Sequence, residues 1–201
     1  VNKMSKKLIL LDAYALIYRA HFAFIKNPRI NSKGLNTSAI FGFCNSLLEV
    51  TNKFDPSHIG VVFDPPGGSD REGVFADYKA NRQEMPEDIR KAIPHIFDLL
   101  KAMNIKVEME EGFEADDVIG TLAKQAEKKG FETYMMTPDK DFGQLVSDQI
   151  FIYKPGRSGN PSEILGPKEV CEKFEVKNPS QVIDILGLWG DAVDNIPGVP
   201  G

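Results

Sequence analysis

A set of acidic residues stands in this sequence where carboxylates could act together. Each residue either follows a short apolar run or opens the helix-like segment after one; the set is Asp12, Asp64, Glu114, Asp116, Asp117, Asp139 and Asp141. The apolar runs have the length and composition of buried β-strands. Because the carboxyl ends of parallel strands lie along one edge of a sheet, acids far apart in sequence are predicted to converge there.

Converging carboxylates repel one another unless a cation neutralises them. A donor set of oxygens without Cys or His suits hard ions such as Mg²⁺ or Mn²⁺. Two ions about 3.5–4 Å apart would activate water and stabilise the leaving oxygen of a phosphoryl displacement. Each acid taken alone could instead be a turn residue or a partner of a helix dipole, and Asp117 could only orient its neighbours. The joint placement favours a metal centre with two ions.

A charged and aromatic segment, 65–82, follows the Asp64 strand and is predicted to be mobile and to lie over the same edge. In it, Lys79 and Arg82 stand one helical turn apart, so both could face one phosphate; a solvated helix face is the alternative. Tyr78 could stack on an unpaired base or pin the segment to the core. Arg19 could reach another phosphate or form a structural ion pair.

The order of elements predicts an α/β chain with a mostly parallel, twisted sheet and helices on both faces. The predicted strands are 7–12, 58–64, 105–110, 132–137 and 150–153. The predicted helices are 37–54, one that begins near 86 and runs through 100, 114–129, 167–174 and 179–188.

Bulk composition narrows the class of protein. The 201 residues, 42% of them hydrophobic, can bury one substantial core, and no apolar run is long enough to span a bilayer, so a cytoplasmic chain without a membrane partner is expected. Cys44 and Cys171 lack the spacing of a zinc site or a disulfide framework. The net charge of −5 argues against nucleic acid at first, but acids gathered around cations would leave the rest of the chain basic.

These residues resemble a known family of 5′ nucleases, which includes the amino-terminal domain of bacterial DNA polymerase I, phage 5′ nucleases and flap endonucleases of PIN-like fold. The resemblance covers essentially the whole chain. It is carried by Leu11-Asp12 with Tyr18-Arg19-Ala20, Val62-Phe63-Asp64, Tyr78-Lys79-Ala80-Asn81-Arg82, Glu114-Ala115-Asp116-Asp117-Val118-Ile119, Asp139-Lys140-Asp141 with Gln144-Leu145, and Gly190-Asp191-Ala192-Val193-Asp194-Asn195-Ile196-Pro197-Gly198-Val199.

The resemblance implies the assignment of each ligand. One metal would be held by Asp12, Asp64, Glu114 and Asp116, and the second by Asp139, Asp141, Asp191 and Asp194. Without the resemblance, Asp191 and Asp194 would be interpreted as a helix-capping turn.

The resemblance also implies that 65–86 forms an arch that admits a single-stranded 5′ end, with Lys79 and Arg82 steering the scissile phosphate. Arg71 stands where the family keeps an arginine and is assigned to DNA contact, although its neighbours Asp70, Glu72 and Gly73 depart from the family pattern.

The expected function is a metal-dependent 5′ nuclease that cuts DNA at flaps, nicks or 5′ ends in replication and repair. The expected organisation is a catalytic domain, 1–175, followed at 176–201 by the start of a helix–turn–helix DNA-binding subdomain that is incomplete here. A covalently linked polymerase domain and a monomeric state are also expected.

Two alternatives stay open, a PIN-type ribonuclease and a DNA-binding module that has lost catalysis. A dehalogenase-like phosphatase would need a second acid after Asp12, and a dinucleotide-binding protein would need G-x-G-x-x-G; the sequence has neither.

Overall fold

The computed structural model describes residues 6–81, 83–156 and 160–200. Its strands are β1 (Lys6–Asp12), β2 (His58–Val62), β3 (Lys106–Glu108), β4 (Phe131–Met136), β5 (Ile150–Lys154) and β6 (Glu163–Leu165). They form one sheet in the order β3-β2-β1-β4-β5-β6. The first five are parallel to their neighbours, and β6 is antiparallel to β5.

Helices cover both faces of this sheet. They are α1 (Ala13–Ala23), α2 (Ser38–Phe54), α3 (Arg71–Val74), α4 (Glu87–Ala102), α5 (Ala115–Lys128), α6 (Pro167–Phe174) and α7 (Val182–Trp189), with 3₁₀ turns at Asp141–Leu145 and Pro179–Gln181. In β1, Ile9 and Leu11 pack under α1, α2 and α4, whereas Leu10 packs on the opposite face with α5 and α6. The predicted fold class is therefore confirmed.

Two local signals set the ends of α5. Glu114 is its N-cap residue, and its backbone N–H donates to Asp117 Oδ2 at 3.1 Å, which closes a capping box. Gly130, with a φ of 75°, follows the helix and provides the left-handed conformation that commonly ends one. This helix carries Asp116 in its first turn, so its start is also the position of a candidate ligand.

The predicted strands and helices are all present, with ends shifted by a few residues. Three elements were not predicted: α1, the four-residue α3 and the short edge strand β6. The prediction of a helical turn at 78–82 is wrong over its described part, because 76–81 form turns and Lys79 has a φ of 57°. Arg82 lies outside the described residues.

The carboxyl-terminal part begins on the same core. Val182 at the start of α7 is fully buried in the core cluster beneath α5 and α6. An antiparallel bridge pairs Asp191 with Ile196 and closes the last turn. The predicted domain boundary near 175 stays a prediction. Within the described ranges, no helix has the length and apolarity needed to cross a membrane.

Candidate active site

Strand ends bring the predicted carboxylates together at one edge of the sheet. Asp12 is the last residue of β1 and the N-cap of α1, and Asp64 follows β2 by two residues. Asp139 and Asp141 follow β4, and Glu114 lies at the start of α5. One cavity of about 920 Å³ is lined by Asp12, Asp64, Glu114, Asp116 and Asp139, and a second of about 720 Å³ by Glu114, Asp116, Asp117, Asp139, Asp141 and Asp194.

Three of these acids are strongly perturbed by their surroundings. Burial, with the charges of Asp12 and Asp139, raises the pKa of Asp116 to about 8. Burial, opposed by hydrogen bonds and reinforced by the charge of Asp64, raises the pKa of Asp12 to about 6. The pKa of Asp141 is raised to about 6 by burial and by Asp139. The carboxylates therefore repel one another in the absence of a cation.

Backbone and hydroxyl donors orient the strand-end acids. Asp12 accepts from Ala15 N at 3.1 Å and from Thr137 Oγ1 at 3.0 Å. Asp64 Oδ1 accepts from Ala115 N, the first residue of α5, at 2.7 Å. This bond joins the end of β2 to the start of α5, so the two acids carried by those elements keep a fixed relation.

Glu114 is the acceptor for four side chains of the segment after β2. Ser69 Oγ donates at 2.9 Å, Arg71 Nη1 at 2.7 Å and Tyr78 OH at 3.0 Å, and Lys79 Nζ forms an ion pair at 2.7 Å. Burial acts to raise the pKa of Glu114, but the hydrogen bond and charge of Lys79, with Ser69 and Tyr78, lower it overall. The segment is thus fastened to the site through this carboxylate.

Arg71 lies inward, toward the carboxylates. Its second nitrogen, Nη2, pairs with Asp117 Oδ1 at 2.6 Å, while Asp117 Oδ2 holds the Glu114 N–H. Asp117 therefore contacts both Arg71 and Glu114, in keeping with the orienting role predicted for it. In this conformation the guanidinium of Arg71 is engaged by two carboxylates, which was not expected, and its contact with DNA stays a prediction.

Two other predicted DNA contacts also differ from expectation. Arg19 donates to the backbone oxygens of Pro155 and Gly156, so it holds α1 to the loop after β5 and does not present a free guanidinium to a phosphate. Tyr78 is only 8% exposed and its hydroxyl reaches Glu114 and Asp194. Its ring therefore offers no open face for a base, and the alternative of a residue that pins the segment describes it better.

The last turn of the chain lies against the same segment. Asp191 pairs with Lys140 at 3.1 Å, and its other oxygen accepts from Val193 N at 2.8 Å. Burial acts to raise the pKa of Asp191, and the hydrogen bond from Lys140 with those from the backbone lowers it overall. The Asp194 side chain lines the 720 Å³ cavity, and its backbone oxygen accepts from Lys79 N at 3.0 Å.

The donor set fits a hard divalent cation, although its side chains are at present turned toward protein partners. Among the described residues, no three His, Cys, Asp or Glu side chains already stand in a metal cage. The carboxylates are nevertheless close enough to raise one another's pKa. Asp141 Oδ1 is buried without a hydrogen-bond partner in the described part of the chain, which is the state expected of an acceptor that awaits a ligand.

Several residues of the site were not singled out from the sequence. Thr137, at the end of β4, bonds Asp12; Lys140 neutralises Asp191; and Ser69 bonds Glu114. The positions of Thr137 and Lys140 close to Asp139 in the sequence could have indicated that they belong to the site. Ser69 had no such signal, because its partner is 45 residues away.

Comparison with known proteins places the chain in a family. Residues 7–175 match the family model described as 5′-3′ exonuclease, N-terminal resolvase-like domain. DNA polymerase I of Bacillus subtilis is 42% identical over 98% of this chain and 22% of its own length. The 5′-3′ exonuclease of Aquifex aeolicus is 39% identical over 98% of this chain and 65% of its own length. The chain thus spans less than two thirds of these relatives.

Solved structures share the fold. The zinc-bound T5 5′-exonuclease superposes with a TM-score of 0.79 at 19% identity, covering 98% of this chain and 71% of that one. The bacteriophage T5 flap endonuclease complex with DNA and metal ions gives a TM-score of 0.72 at 18% identity, with the same two coverages. At these identities the likeness concerns the fold. Together with the match over residues 7–175, it shows that the chain belongs to the 5′-3′ exonuclease family, in which it forms the N-terminal resolvase-like domain.

Proposed function

We propose that this chain is a divalent-metal-dependent 5′ nuclease that hydrolyses DNA phosphodiester bonds at 5′ flaps, nicks or ends. The observation that carries the proposal is the convergence of Asp12, Asp116 and Asp141, one buried and two partly buried carboxyls with raised pKa values beside open cavities. Buried carboxyls without a cation are costly, so a site that keeps them is built for a bound cation and for the phosphate it attracts.

The proposed ligand sets divide the carboxylates between two ions, Mg²⁺ or Mn²⁺. Asp12, Asp64, Glu114 and Asp116 would hold the first, and Asp139, Asp141, Asp191 and Asp194 the second. When bound, such ions supply Lewis-acid stabilisation of a phosphoryl displacement. Glu114 is paired with Arg71 and Lys79, and Asp191 with Lys140, so bound ions would compete with these pairs.

The chain's own residues would position and neutralise the substrate. Lys79 lies beside Glu114 in the wall of the 920 Å³ cavity, so a small rotation of its side chain moves the ammonium from the carboxylate to a phosphate oxygen. Tyr78 holds this part of the segment against Glu114 and Asp194. Arg82 remains a predicted partner of Lys79 in this role.

The proposal extends to the biological setting. Relatives named DNA polymerase I support a role in DNA replication and repair as the amino-terminal part of such an enzyme, linked to a polymerase domain. A solved relative in complex with DNA supports DNA as the partner. We place the activity in the cytoplasm and expect a monomer.

A 5′-labelled flap duplex incubated with the chain tests the proposal. In Mg²⁺ we expect release of a labelled short product, and in excess chelator none. The variant Asp116→Asn provides the control for a contaminating nuclease, because it removes a proposed ligand at nearly constant volume. Binding of the flap without Mg²⁺-dependent cleavage would favour the DNA-binding module that has lost catalysis.

A further inference from the structure

The 720 Å³ cavity extends beyond the carboxylates along one face of α5. The α5 residues in its wall are Asp116, Asp117, Gly120, Thr121, Lys124, Gln125 and Lys128. Their recurrence every three or four residues puts them on one side of the helix, over a length of about 16 Å from Asp117 to Lys128 at 1.5 Å per residue. We call this surface the α5 groove.

Charge changes along the α5 groove. Its inner end is formed by the candidate ligands, among them Glu114 and Asp116. Past Asp117, the α5 residues in the wall are a glycine, a threonine, a glutamine and two lysines. Lys124 is 3.4 Å from Glu127, which does not line the cavity, and its side chain is 42% exposed. The outer part of the groove is therefore a row of hydrogen-bond donors with net positive charge.

The 920 Å³ cavity on the other side of the same carboxylates has a different wall. Tyr14, Tyr18 and Phe22 line it together with Pro65, Pro66 and Pro86, and Lys79 is the basic residue among its described lining residues. The two cavities share Glu114, Asp116 and Asp139. The carboxylates thus open toward an aromatic chamber on one side and a basic groove on the other.

We propose that the α5 groove binds the sugar–phosphate backbone of the single-stranded 5′ segment on the far side of the scissile phosphate, through Lys124 and Lys128. This inference rests on the proposed nuclease function. Lysine, glutamine and threonine side chains are the usual donors to phosphate oxygens and carry no base specificity. A volume of about 720 Å³ suits a ligand of one or two nucleotides, so a double helix does not enter.

The α5 groove is tested by comparing two duplexes that differ only in their 5′ overhang, one with ten unpaired nucleotides and one with none. The double variant Lys124→Ala/Lys128→Ala is matched by Lys101→Ala/Lys129→Ala, which removes the same charge from positions outside both cavities. Affinities are measured by fluorescence anisotropy in chelator, over a range of salt, so that the readout does not depend on cleavage.

For the groove variant we expect the ratio of the two affinities, with overhang to without, to fall at least about tenfold, a conservative figure for the loss of two hydrogen bonds to charged groups. The slope of log affinity against log salt for the overhang duplex should become shallower by about 1.4. Each phosphate contact on a single strand contributes about 0.7 to this slope, and two contacts are lost. The matched variant should keep the ratio and slope of the unaltered chain.

Equal losses with the two duplexes, or equal losses in the two double variants, would overturn the groove assignment and leave Lys124 and Lys128 as solvated helix residues. Failure of the proposed function has a separate signature. In that case the unaltered chain cleaves neither duplex in Mg²⁺, whatever the anisotropy shows.

Discussion

Two groups of acids share one sheet edge and differ in how their charge is met. Asp12 is buried and Asp116 and Asp141 are partly buried, and desolvation together with neighbouring carboxylates raises the pKa of all three. Glu114 and Asp191 have lowered pKa values because Lys79 and Lys140 lie against them. The acids of the second group are ion-paired with lysines, whereas the charges of the first group are only partly compensated by the protein.

The difference separates two tasks within the proposed site. The first group creates the demand for an external divalent ion, since hydrogen bonds to Asp12 and the charge of Lys140 near Asp141 leave the pKa values raised. The second group holds basic side chains in place, and in the proposed site bound ions would compete with these pairs. The predictions below test this division, in order of decreasing expected effect.

Asp116→Asn should reduce Mg²⁺-dependent flap cleavage by at least about 10²-fold, the loss typical of removing one preorganised electrostatic stabiliser. Without metal, the same change should raise the melting temperature, because it removes a partly buried carboxyl that repels its neighbours. Single-turnover cleavage and thermal melting measure the two effects. Asp98→Asn, at an exposed position of α4, is the control and should do neither.

If Asp116→Asn lowered the metal-free melting temperature, the carboxyl would be stabilising the fold and the comparison would fail. Cleavage close to that of the unaltered chain would remove Asp116 from the proposed ligand set.

The metal-free chain should lose stability as pH rises from about 4 to about 8. The pKa of Asp116 is raised from 3.8 to about 8, so the folded state retains a proton that the unfolded state gives up across this range. The resulting stabilisation is complete below pH 4 and disappears as pH passes 8. Melting in chelator should shift by several degrees, on the order of the change expected for a domain of this size.

Saturating Mg²⁺ should raise the melting temperature most at the high end of this pH range, where the carboxylates are ionised. A melting temperature in chelator that is constant from pH 4 to 8, or that rises, contradicts the prediction. Asp116→Asn should flatten the profile and so identifies the group responsible.

Lys79→Ala should lower the single-turnover rate on a saturating flap by at least about tenfold, a conservative expectation for one lost phosphate donor. Lys79 is half-buried against Glu114, so a moderate fall in metal-free stability should accompany the loss. Lys101→Ala serves as the matched control for charge. An unchanged rate would show that Lys79 is only a counter-ion for Glu114.

Arg71→Ala should have the smallest effect and the opposite sign, a tightening of Mn²⁺ binding by roughly two- to fivefold. The Arg71 side chain is 46% exposed, so its pairs with Glu114 and Asp117 contribute little, and removing them frees a proposed ligand. Mn²⁺ titration followed by calorimetry measures this. The Mn²⁺ affinity of Arg71→Lys should lie between those of the unaltered chain and Arg71→Ala, because lysine lacks the forked guanidinium that bridges both carboxylates. Weaker Mn²⁺ binding in Arg71→Ala would mean that the arginine positions Glu114 for the ion.

The sequence was most informative where the chain is regular. Apolar runs followed by acids predicted the parallel sheet and the edge at which Asp12, Asp64 and Asp139 meet. Both follow from strand geometry alone. Helix α1, whose N-cap is Asp12, was missed because no loop separates it from β1. Asp12 was interpreted as the acid that ends the strand, and the start of a helix at the same residue was not recognised.

Contacts that join distant parts of the chain were not accessible from spacing. The turn around Lys79 has a left-handed backbone, and a bond from its N–H to Asp194 and one from Asn81 Nδ2 to the Ala192 oxygen hold it. These partners lie more than a hundred residues downstream. For the same reason, Asp191 and Asp194 entered the site through family resemblance.

The alternating packing of the β1 side chains fixes where the candidate site lies along the strand. Ile9 and Leu11 serve one core and Leu10 the other, and Asp12 then ends the strand and begins α1. Inserting one residue between Leu8 and Asp12 would have one of two effects. Either the side chains before the insertion would turn to the opposite face of the sheet, or the Asp12 carboxyl would move beyond the edge of the sheet. The number of residues in the central strand therefore specifies the position of Asp12, a proposed metal ligand.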